Sequence, residues 1–486
     1  MHNPLPRSAK NLPLYTMAAP PDSMVWACPL GLATLRPGPR EVPLEIMMPS
    51  DPRLADHHRD HLRTVLARYQ GALAREGLGG VVIFAGEPQG HFLDDTNASW
   101  KPNPHFSLFA PLPDAAGSAV LIPESGAPEL LHLQADDFWH APPRSPEGSW
   151  LEVLPATLVT SERERNQHIA AWTARCAGPT VTLGPGHPDP TAFRHRVDFA
   201  RAEKTPYELA CLRAANARAV RGHRAVAEGF SAEDSEFELH LRYLAATGHE
   251  DHELPYTNII GLNERGAILH YHHRTRDRGP SRSLLIDAGA NAGGYAADVT
   301  RTYAREPGAF QNLIDAMDAL QQAIVARLAP GVPWASLQDA TMEALAEVLV
   351  ESGIAQASKD ALLENDVPER FMPHGLGHLL GIQVHDAGGQ LANAEGALTP
   401  PPPKHPALRL TRTLTPEMVV TVEPGLYFIP SFLKTLWEGR ERELLNWPLI
   451  ETLIPFGGIR IEDNVRITPE GRENLTRDAF AGAITL

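Results

Sequence analysis

The chain of 486 residues has few cysteines, no excess of positive charge and no long apolar run. Its three cysteines, Cys28, Cys176 and Cys211, are scattered and odd in number. This pattern is typical neither of a disulfide framework nor of a thiolate metal site, and it predicts a cytoplasmic location. The net charge of −16 predicts no nucleic-acid partner and no binding to anionic membranes. No apolar run approaches the roughly 20 residues that span a bilayer.

The chain also lacks the motifs of several enzyme classes. No His-Glu-x-x-His helix, Gly-x-Ser-x-Gly elbow, P-loop or dinucleotide fingerprint occurs in the context that each requires. Hydrophobic residues make up 43% of the chain and charged residues 21%, which is ordinary for a globular protein. The length is sufficient for two or three domains.

Composition and hydrophobic periodicity divide the chain into three parts. Residues 1–50 are rich in proline and have no periodicity, so we predict a disordered extension, with Met47 and Met48 as alternative starts. Residues 51–200 are predicted to form a smaller mixed α/β domain, whose first helix ends at Gly77. The strands predicted in this domain are 80–85, 118–122, 129–133 and 180–183, and a solvated helix face is predicted for His57, His58 and His61.

Residues 201–486 are predicted to form an α+β domain with its helices grouped on one face of an antiparallel sheet. Thr205-Pro-Tyr-Glu208 predicts a capping box at the start of a long helix that reaches about Glu228. The further helices predicted are 311–328 and 334–352, and the strands predicted are 256–260, 267–271, 284–289, 295–303, 418–424 and 458–465.

One segment of this half, residues 371–386, places His374, His378 and His385 mostly among glycines and aliphatic residues. The apolar flanks indicate that the segment is buried, and a histidine is seldom fully buried unless it has a function. A single buried histidine is more often a hydrogen-bonded core residue, but three in one segment indicate metal binding or proton transfer. The segment alone cannot complete a metal site, so carboxylates must come from elsewhere.

Four acidic residues end or lie on apolar strands in the same half: Asp287, Asp298, Glu423 and Glu462. A glycine turn between the first two predicts a hairpin that brings their carboxylates together, where they would repel each other without a cation. Each acid alone is a weak signal, because strand ends often carry exposed carboxylates. With one imidazole, the four form an oxygen-rich set that suits Mn²⁺ or Co²⁺. Four anions exceed the need of one divalent ion and indicate two ions at ~3.5–4 Å.

In their local contexts, Asp287, Asp298, His378, Glu423 and Glu462 resemble the metal ligands of the pita-bread metallopeptidases. That superfamily includes methionine aminopeptidase, aminopeptidase P and prolidase. Over about residues 51–480 the sequence motifs are similar to those of one branch, the bacterial Xaa-Pro dipeptidases and organophosphorus acid anhydrolases. The motifs that carry this resemblance include Asp-Ala-Gly-Ala290, Gly-Tyr-Ala-Ala-Asp298, Pro-His-Gly-Leu-Gly-His378 and Gly-Ile-Arg-Ile-Glu-Asp-Asn464.

The resemblance implies a pita-bread catalytic domain that hydrolyses dipeptides with a C-terminal proline. It implies a homodimer with two divalent ions per site, with Mn²⁺ expected and Co²⁺ or Zn²⁺ as alternatives. A hydroxide between the two ions would attack the scissile carbonyl. One ion would be held by Asp287 and the other by His378 and Glu423, with Asp298 and Glu462 as bridges.

The resemblance also implies roles for residues around the metals. His374 is similar to the proton-handling residue and His385 to the residue that hydrogen-bonds the developing oxyanion. Arg460 would bind the carboxylate of the substrate or hold the metal carboxylates in place. The pocket residues expected from the resemblance are His270, Tyr256, Leu408 and, reaching a neighbouring subunit's site, Asp95. Trp334 replaces an expected tyrosine, so we expect a narrower leaving-group pocket.

Three alternatives remain open from the sequence. The same site could hydrolyse phosphotriesters, because a two-metal hydroxide can attack phosphorus as well as carbon. The chain could be an aminopeptidase P, although its N-terminal phrases fit that enzyme less well. A non-catalytic binding protein that has lost its metals is disfavoured, because all five ligands are present. His249 and His252 could suggest a second metal cluster, but a polar loop is the preferred interpretation.

The proline-rich extension leads to the first testable prediction. Deletion of residues 1–46 should leave the melting temperature and the turnover number nearly unchanged, because this segment has little apolar surface to bury. Thermal denaturation and a steady-state assay of the shortened chain check this. A clear fall in either quantity would show that the extension packs against the rest of the protein.

Overall fold

The computed structural model describes residues 53–135 and 137–482, so the predicted extension at residues 1–50 lies outside the described residues. The helices are α1 Leu54–Glu76, α2 Pro104–Ser107, α3 Glu162–Thr173, α4 Thr191–Arg201, α5 Pro206–Ser231, α6 Glu236–Thr247, α7 Ala309–Val325, α8 Trp334–Glu351, α9 Lys359–Glu364, α10 Val367–Phe371, α11 Pro430–Glu438, α12 Trp447–Leu453 and α13 Leu475–Phe480. Within this part of the chain, no helix is long and apolar enough to cross a bilayer. The thiols of Cys176 and Cys211 are free.

The strands are β1 Gly80–Phe84, β2 Ala119–Pro123, β3 Glu129–Leu133, β4 Ala156–Val159, β5 Thr180–Leu183, β6 Ile259–Leu262, β7 Ser283–Asp287, β8 Asn291–Ala292, β9 Tyr295–Ala296, β10 Thr300–Ala304, β11 Val419–Val422, β12 Gly425–Tyr427, β13 Gly458–Arg460, β14 Asp463–Thr468 and β15 Gly471–Asn474. The first five form one mixed sheet in the order β4-β3-β2-β1-β5. The α+β class and the mixed α/β character of the N-terminal part are therefore confirmed.

The second half is built on short antiparallel sheets, with the orders β10-β7-β6, β11-β14-β15 and β12-β13. An isolated bridge between Thr300 and Glu462 connects β10 with the chain beside β14. A second bridge, between Leu379 and Val420, attaches the histidine segment to β11. The first bridge contains Glu462 itself, and the second contains the residue that follows His378, so both lie at the predicted site.

Helix α5 begins as the sequence predicts. Thr205 is the N-cap, its hydroxyl accepts from the backbone N–H of Glu208, and the Glu208 carboxylate accepts from the Thr205 N–H at 2.8 Å. Pro206 occupies the first helical position, where a missing N–H costs nothing. Gly77 likewise ends α1 in the left-handed conformation, with φ of 64°.

Two predictions for shorter segments are wrong. Residues 267–271 do not form a strand, because Asn263–Ala267 is a 3₁₀ helix and the chain then continues without regular structure. This segment is held instead by the buried Glu236 carboxylate, which accepts from the Tyr271 hydroxyl at 2.8 Å and the Thr275 N–H at 2.9 Å. The carboxylate of Glu236 thus accepts hydrogen bonds that a neighbouring strand would otherwise accept. The alternation of apolar residues in the sequence cannot reveal such a side-chain contact.

The predicted solvated histidine face of α1 is also wrong. The ring of His61 is buried, within hydrogen-bond distance of the Thr205 hydroxyl at 2.9 Å and the Leu108 carbonyl at 3.0 Å. The ring of His58 stacks on Tyr207 with centroids 4.2 Å apart. Helix α1 therefore packs against the start of α5 through these histidines, and this contact joins the N-terminal part to the second half.

Gly377 shows how closely the histidine segment packs on β11. A Cβ atom at this position would lie 2.1 Å from the carbonyl oxygen of Thr421. Two hydrogen bonds fix the histidine segment to β11 there. The Thr421 N–H donates to the His378 carbonyl at 2.9 Å, and the His378 N–H donates to the Thr421 hydroxyl at 3.1 Å. Only glycine allows this approach without displacing backbone.

The substitution Gly377→Ala should therefore destabilise the metal-free protein by about 1–3 kcal/mol, the usual cost of overpacking. Gly71→Ala is the matched control, because Gly71 lies in α1 with open space around its Cβ position. That control should raise stability by roughly 0.5–1 kcal/mol. Thermal denaturation of both variants after chelation measures the effects, and equal melting temperatures would contradict the packing argument.

Candidate metal centre

Asp287 lies at the end of a strand, whereas Asp298 lies in the irregular segment between β9 and β10, which interrupts the strand predicted at residues 295–303. Asp287 ends β7, where it pairs with Thr300 of β10, and Asp298 lies two residues before Thr300 on the same side of the turn. The side chain of Asn464 fixes the backbone of Asp298, since its oxygen accepts from the Asp298 N–H at 3.0 Å and its amide donates to the Asp298 carbonyl.

The carboxylate of Asp287 is held by two donors. The hydroxyl of Tyr256 donates to one oxygen at 2.6 Å, and Nη2 of Arg460 donates to the other at 2.6 Å. Burial raises the pKa of Asp287, the positive charge of Arg460 opposes this, and the negative charge of Asp298 adds to it. Tyr256 therefore contacts a proposed ligand directly and is more than a wall of the pocket.

Arg460 is 4% exposed, and all three nitrogens of its guanidinium donate hydrogen bonds within the site. Besides Asp287, Nη1 donates to the Tyr427 hydroxyl at 2.8 Å and Nε to the Thr300 hydroxyl at 3.2 Å. Of the two roles implied for Arg460, these bonds favour the one of holding a metal carboxylate in place.

Three side chains converge most closely. One donor atom each of Asp298, His378 and Glu462 lies within 4.8 Å of the other two, and all three residues are buried. The Thr300 hydroxyl donates to Oε2 of Glu462 at 2.7 Å. The pKa of Glu462 is raised well above its usual value, first by burial and then by the charge of Asp298. Such a cluster of buried acids is stable only when their charge is compensated.

His378 presents one ring nitrogen to this cluster. Its Nδ1 lies 3.0 Å from the Leu379 carbonyl, to which it donates, and its Nε2 lies 3.4 Å from Asp298 and 3.7 Å from Glu423. Burial lowers the pKa of His378, but the hydrogen bond to Asp298 and the charge of Glu423 outweigh it and leave the pKa raised. Burial raises the pKa of Glu423 to about 7, against the opposing charge of His378.

His374 lies beside Glu423, with Nδ1 4.0 Å from the Glu423 carboxylate. Its Nδ1 lies 2.9 Å from the Gly375 carbonyl, to which it donates, so Nε2 accepts from the Tyr427 hydroxyl at 2.9 Å. Burial and the charge of Arg460 lower the pKa of His374 to about 4, so this imidazole is neutral at pH 7. Tyr427 therefore connects His374 with Arg460.

His385 packs edge-on against His378, with ring centroids 4.4 Å apart. Burial and the charges of His378 and Arg409 lower the pKa of His385 to about 4. His270 is exposed and stacks on His272 with ring centroids 6.3 Å apart. Both His385 and His270 line the cavity that contains the acids.

This cavity has a volume of about 1280 Å³ and extends from the acids to the N-terminal part of the chain. Tyr256 and Arg409 line it, but Leu408 lies in the core with 2% exposure and is not among the lining residues. The expectation for Trp334 is wrong, because this side chain is fully buried in the core at the start of α8 and does not border the pocket.

Asp95 is exposed and lies in a loop that is closed by a backbone bridge between Gly90 and Asn97. The loop tip carries Phe92 and Leu93, which are 92% and 90% exposed. The loop therefore projects from this chain, and Asp95 is not among the residues that line its own cavity.

Sequence reasoning did not single out Tyr427, Thr300 and Arg409. Tyr427 lies four residues after Glu423, and Thr300 two residues after Asp298, so an inspection of the residues that follow each acid would have found both. Arg409 follows Leu408, which was expected in the pocket. Among the described residues, none forms a hydrogen bond or ion pair with the guanidinium of Arg409, although it lines the cavity.

Sequence comparison places the chain among known peptidases. Residues 210–469 match the profile of metallopeptidase family M24, and residues 56–185 match the profile of the Xaa-Pro dipeptidase N-terminal domain. The chain is 41% identical over 433 residues to an Xaa-Pro dipeptidase of Shewanella woodyi, covering 88% of this chain and 99% of the relative. It is 42% identical over 440 residues to an Xaa-Pro dipeptidase of Xanthomonas euvesicatoria, covering 89% and 99%.

Solved structures show the same fold. Aminopeptidase P from E. coli in its low-pH form superposes with a TM-score of 0.66 at 24% identity, covering 87% of this chain and 95% of that one. The zinc-substituted E. coli enzyme with product gives a TM-score of 0.63 at 22% identity, covering 88% and 99%. The fold is thus that of the pita-bread enzymes, and the chain is a metallopeptidase of family M24 that belongs to its bacterial Xaa-Pro dipeptidase branch.

Proposed function

We propose that this protein hydrolyses dipeptides with a C-terminal proline, using two divalent metal ions. The observation that carries the proposal is one cavity that combines a buried cluster of acids and histidine with an unpaired arginine. The acids and His378 provide a metal site, and Arg409 provides a binding site for the free carboxylate of a dipeptide. The names of the similar proteins support the same substrate.

The donor set fits divalent metal ions on chemical grounds. His378 donates Nδ1–H to a backbone carbonyl, which leaves the lone pair of Nε2 directed at the carboxylates, as in most metal-bound imidazoles. Burial of several acids beside one another raises the pKa of Asp287 and Glu462, a cost that bound cations would remove. Oxygen donors with a single imidazole suit Mn²⁺ best, with Co²⁺ and Zn²⁺ as alternatives.

We propose that Asp287, Asp298 and Glu462 hold one ion, and that His378 and Glu423 hold the second together with the bridging Asp298 and Glu462. Bound divalent ions polarise a substrate carbonyl and lower the pKa of water enough for attack near neutral pH. Arg460 and Tyr256 keep the carboxylate of Asp287 in one orientation through their two hydrogen bonds of 2.6 Å.

The neutral histidines have separate roles. His374 can take up a proton at Nε2 when the Tyr427 hydroxyl moves away from it, because its pKa of about 4 leaves that nitrogen unprotonated at pH 7. His385 is neutral as well and can donate its N–H to the oxygen that gains charge during attack. Removing one such donor typically costs roughly 3–4 kcal/mol of transition-state stabilisation.

Arg409 and His270 are the proposed partners of the substrate carboxylate. A dipeptide ends one residue beyond the scissile bond, so its carboxylate lies in the cavity near the reacting carbonyl. Arg460 cannot serve this purpose, because it is engaged with Asp287, Tyr427 and Thr300. Arg409 keeps its planar guanidinium free to form two parallel hydrogen bonds with a carboxylate.

We further propose a cytoplasmic homodimer without nucleic-acid or membrane partners. The exposed tip formed by Phe92 and Leu93 supports a second copy as the partner, because two adjacent apolar side chains that face water can be buried against another protein surface. Asp95 on the same loop would then reach the neighbouring site and contact the free amine of the substrate. Leu408 would act only indirectly, by packing behind Gly375.

Substrate length provides a test of this proposal. Xaa-Pro dipeptides should be cleaved about ten- to a hundredfold faster in kcat/KM than Xaa-Pro-Yaa tripeptides, because a charge-assisted hydrogen bond is worth about 1.5–3 kcal/mol. Arg409→Met should raise KM for the dipeptide and narrow this preference. Arg327→Met, which removes an exposed arginine after α7, should change neither quantity. Equal kcat/KM for both lengths would favour an aminopeptidase P.

The metal site has a test that does not depend on activity. After chelation, Glu462→Gln should be at least as stable as the wild type, since the change removes one of the repelling buried charges while its carbonyl still accepts from Thr300. Added Mn²⁺ should raise the melting temperature of the wild type more than that of the variant. Equal shifts in the two proteins would argue against Glu462 as a ligand.

A further inference from the structure

A buried ion cluster lies behind the histidine segment. Oδ1 of Asp386 accepts from Nη2 of Arg201 at 2.5 Å, and Oδ2 accepts from Nζ of Lys204 at 2.6 Å. The three side chains are 1–5% exposed. Arg201 is the last residue of α4, a helix that packs in the core of the N-terminal part, whereas Asp386 follows His385 directly. The cluster thus connects the N-terminal part with the segment that carries the proposed oxyanion donor.

Arg201 holds this segment at two points. The same Nη2 that reaches Asp386 also donates to the side-chain oxygen of Gln383 at 3.0 Å. Gln383 and Asp386 lie on either side of His385 in the chain. One guanidinium nitrogen therefore holds both ends of a four-residue loop, and the rigid planar group fixes the direction of its two N–H bonds.

The ring of His385 needs such support. Within residues 53–135 and 137–482, no group forms a hydrogen bond with its imidazole, which packs edge-on against the ring of His378. The loop around it has no regular secondary structure. Its backbone is tied to the rest of the segment where the Asp386 N–H donates to the Leu379 carbonyl at 2.9 Å. The direction of the imidazole must therefore come from the loop.

The chemistry of the cluster indicates a purpose other than stability. Buried ion pairs are often no more stabilising than apolar side chains of the same volume, because both charges must leave water. This one continues into the N-terminal part, where Arg201 lies 3.7 Å from Asp198 and Asp198 lies 3.4 Å from His105. The ion pairs of this network therefore converge on one loop, and that loop carries His385 of the proposed site.

We propose that Arg201 is a positioning residue for His385, which sets the direction of that imidazole by bridging Gln383 and Asp386. This inference rests on the proposed role of His385 in hydrolysis. Arg201 itself does not contact substrate. Its effect is preorganisation, since an oxyanion donor works only when it is held where the charge develops.

The test is the substitution Arg201→Lys in the full-length, Mn²⁺-loaded protein with an Xaa-Pro dipeptide. Lysine keeps the positive charge beside Asp386, but its side chain is one atom shorter than the one that ends in Nη2 and lacks the rigid planar group, so we expect it to lose the bond to Gln383. We expect kcat to fall at least tenfold, while KM, bound metal and melting temperature stay close to the wild-type values. Arg196→Lys is the matched control, since Arg196 lies in the same helix and pairs instead with Glu76; its kcat should stay within twofold.

A double-mutant cycle with His385→Ala separates positioning from a general structural role. If Arg201 acts through His385, Arg201→Lys should cause no further loss of kcat in the His385→Ala background. Asp386→Asn, which keeps the volume of the side chain, should behave in the same way and serves as the second variant if Arg201→Lys does not fold.

Two results would overturn the inference alone: a kcat of Arg201→Lys within twofold of the wild type, or an equal loss in both backgrounds. Wild-type kcat in His385→Ala would overturn it together with the proposed role of His385. Failure of the wild type to cleave the dipeptide, with Mn²⁺ bound, would refute the proposed function itself.

Discussion

The structure depends on one electrostatic constraint, the burial of several carboxylates beside one another. Burial raises the pKa of Asp287 and Glu462, and the charge of Asp298 raises each further. The fold meets this cost partly with donors that lie around the site: Arg460 and Tyr256 for Asp287, and Thr300 for Glu462. The remaining negative charge is what makes the site suitable for divalent cations.

The same donors give the site its rigidity. Arg460 links Asp287 to Tyr427, and Tyr427 continues to His374, so an acid and a neutral histidine share one hydrogen-bonded chain. Because each partner is itself engaged, little side-chain freedom is left to lose when substrate binds. Arg460 thus orients the proposed metal ligand Asp287, and a different arginine, Arg409, lines the cavity and is our proposed partner of a charged substrate end.

Rigid elements hold the acids, whereas the histidine segment relies on its neighbours. The acids end or flank strands, but residues 372–386 run without helix or strand. This segment is attached to β11 by a backbone bridge at Leu379, to the end of α4 by Arg201, and to the connection between α4 and α5 by Lys204. The N-terminal part therefore contributes to the geometry of the site although the proposed metal ligands all lie in the second half.

The sequence by itself determined the α+β class, the capped start of α5 and the convergence of acids with a histidine, because hydrophobic periodicity and strand-end acids are local features. It did not reveal that residues 267–271 are held by Glu236, that His61 is buried, or that Trp334 and Leu408 lie in the core. Nor did it distinguish the two roles of Arg460 or indicate the bridge that Arg201 forms to Gln383 and Asp386. These features join residues that are far apart in the chain, so only the tertiary structure decided which donor meets which acceptor and which arginine stays free.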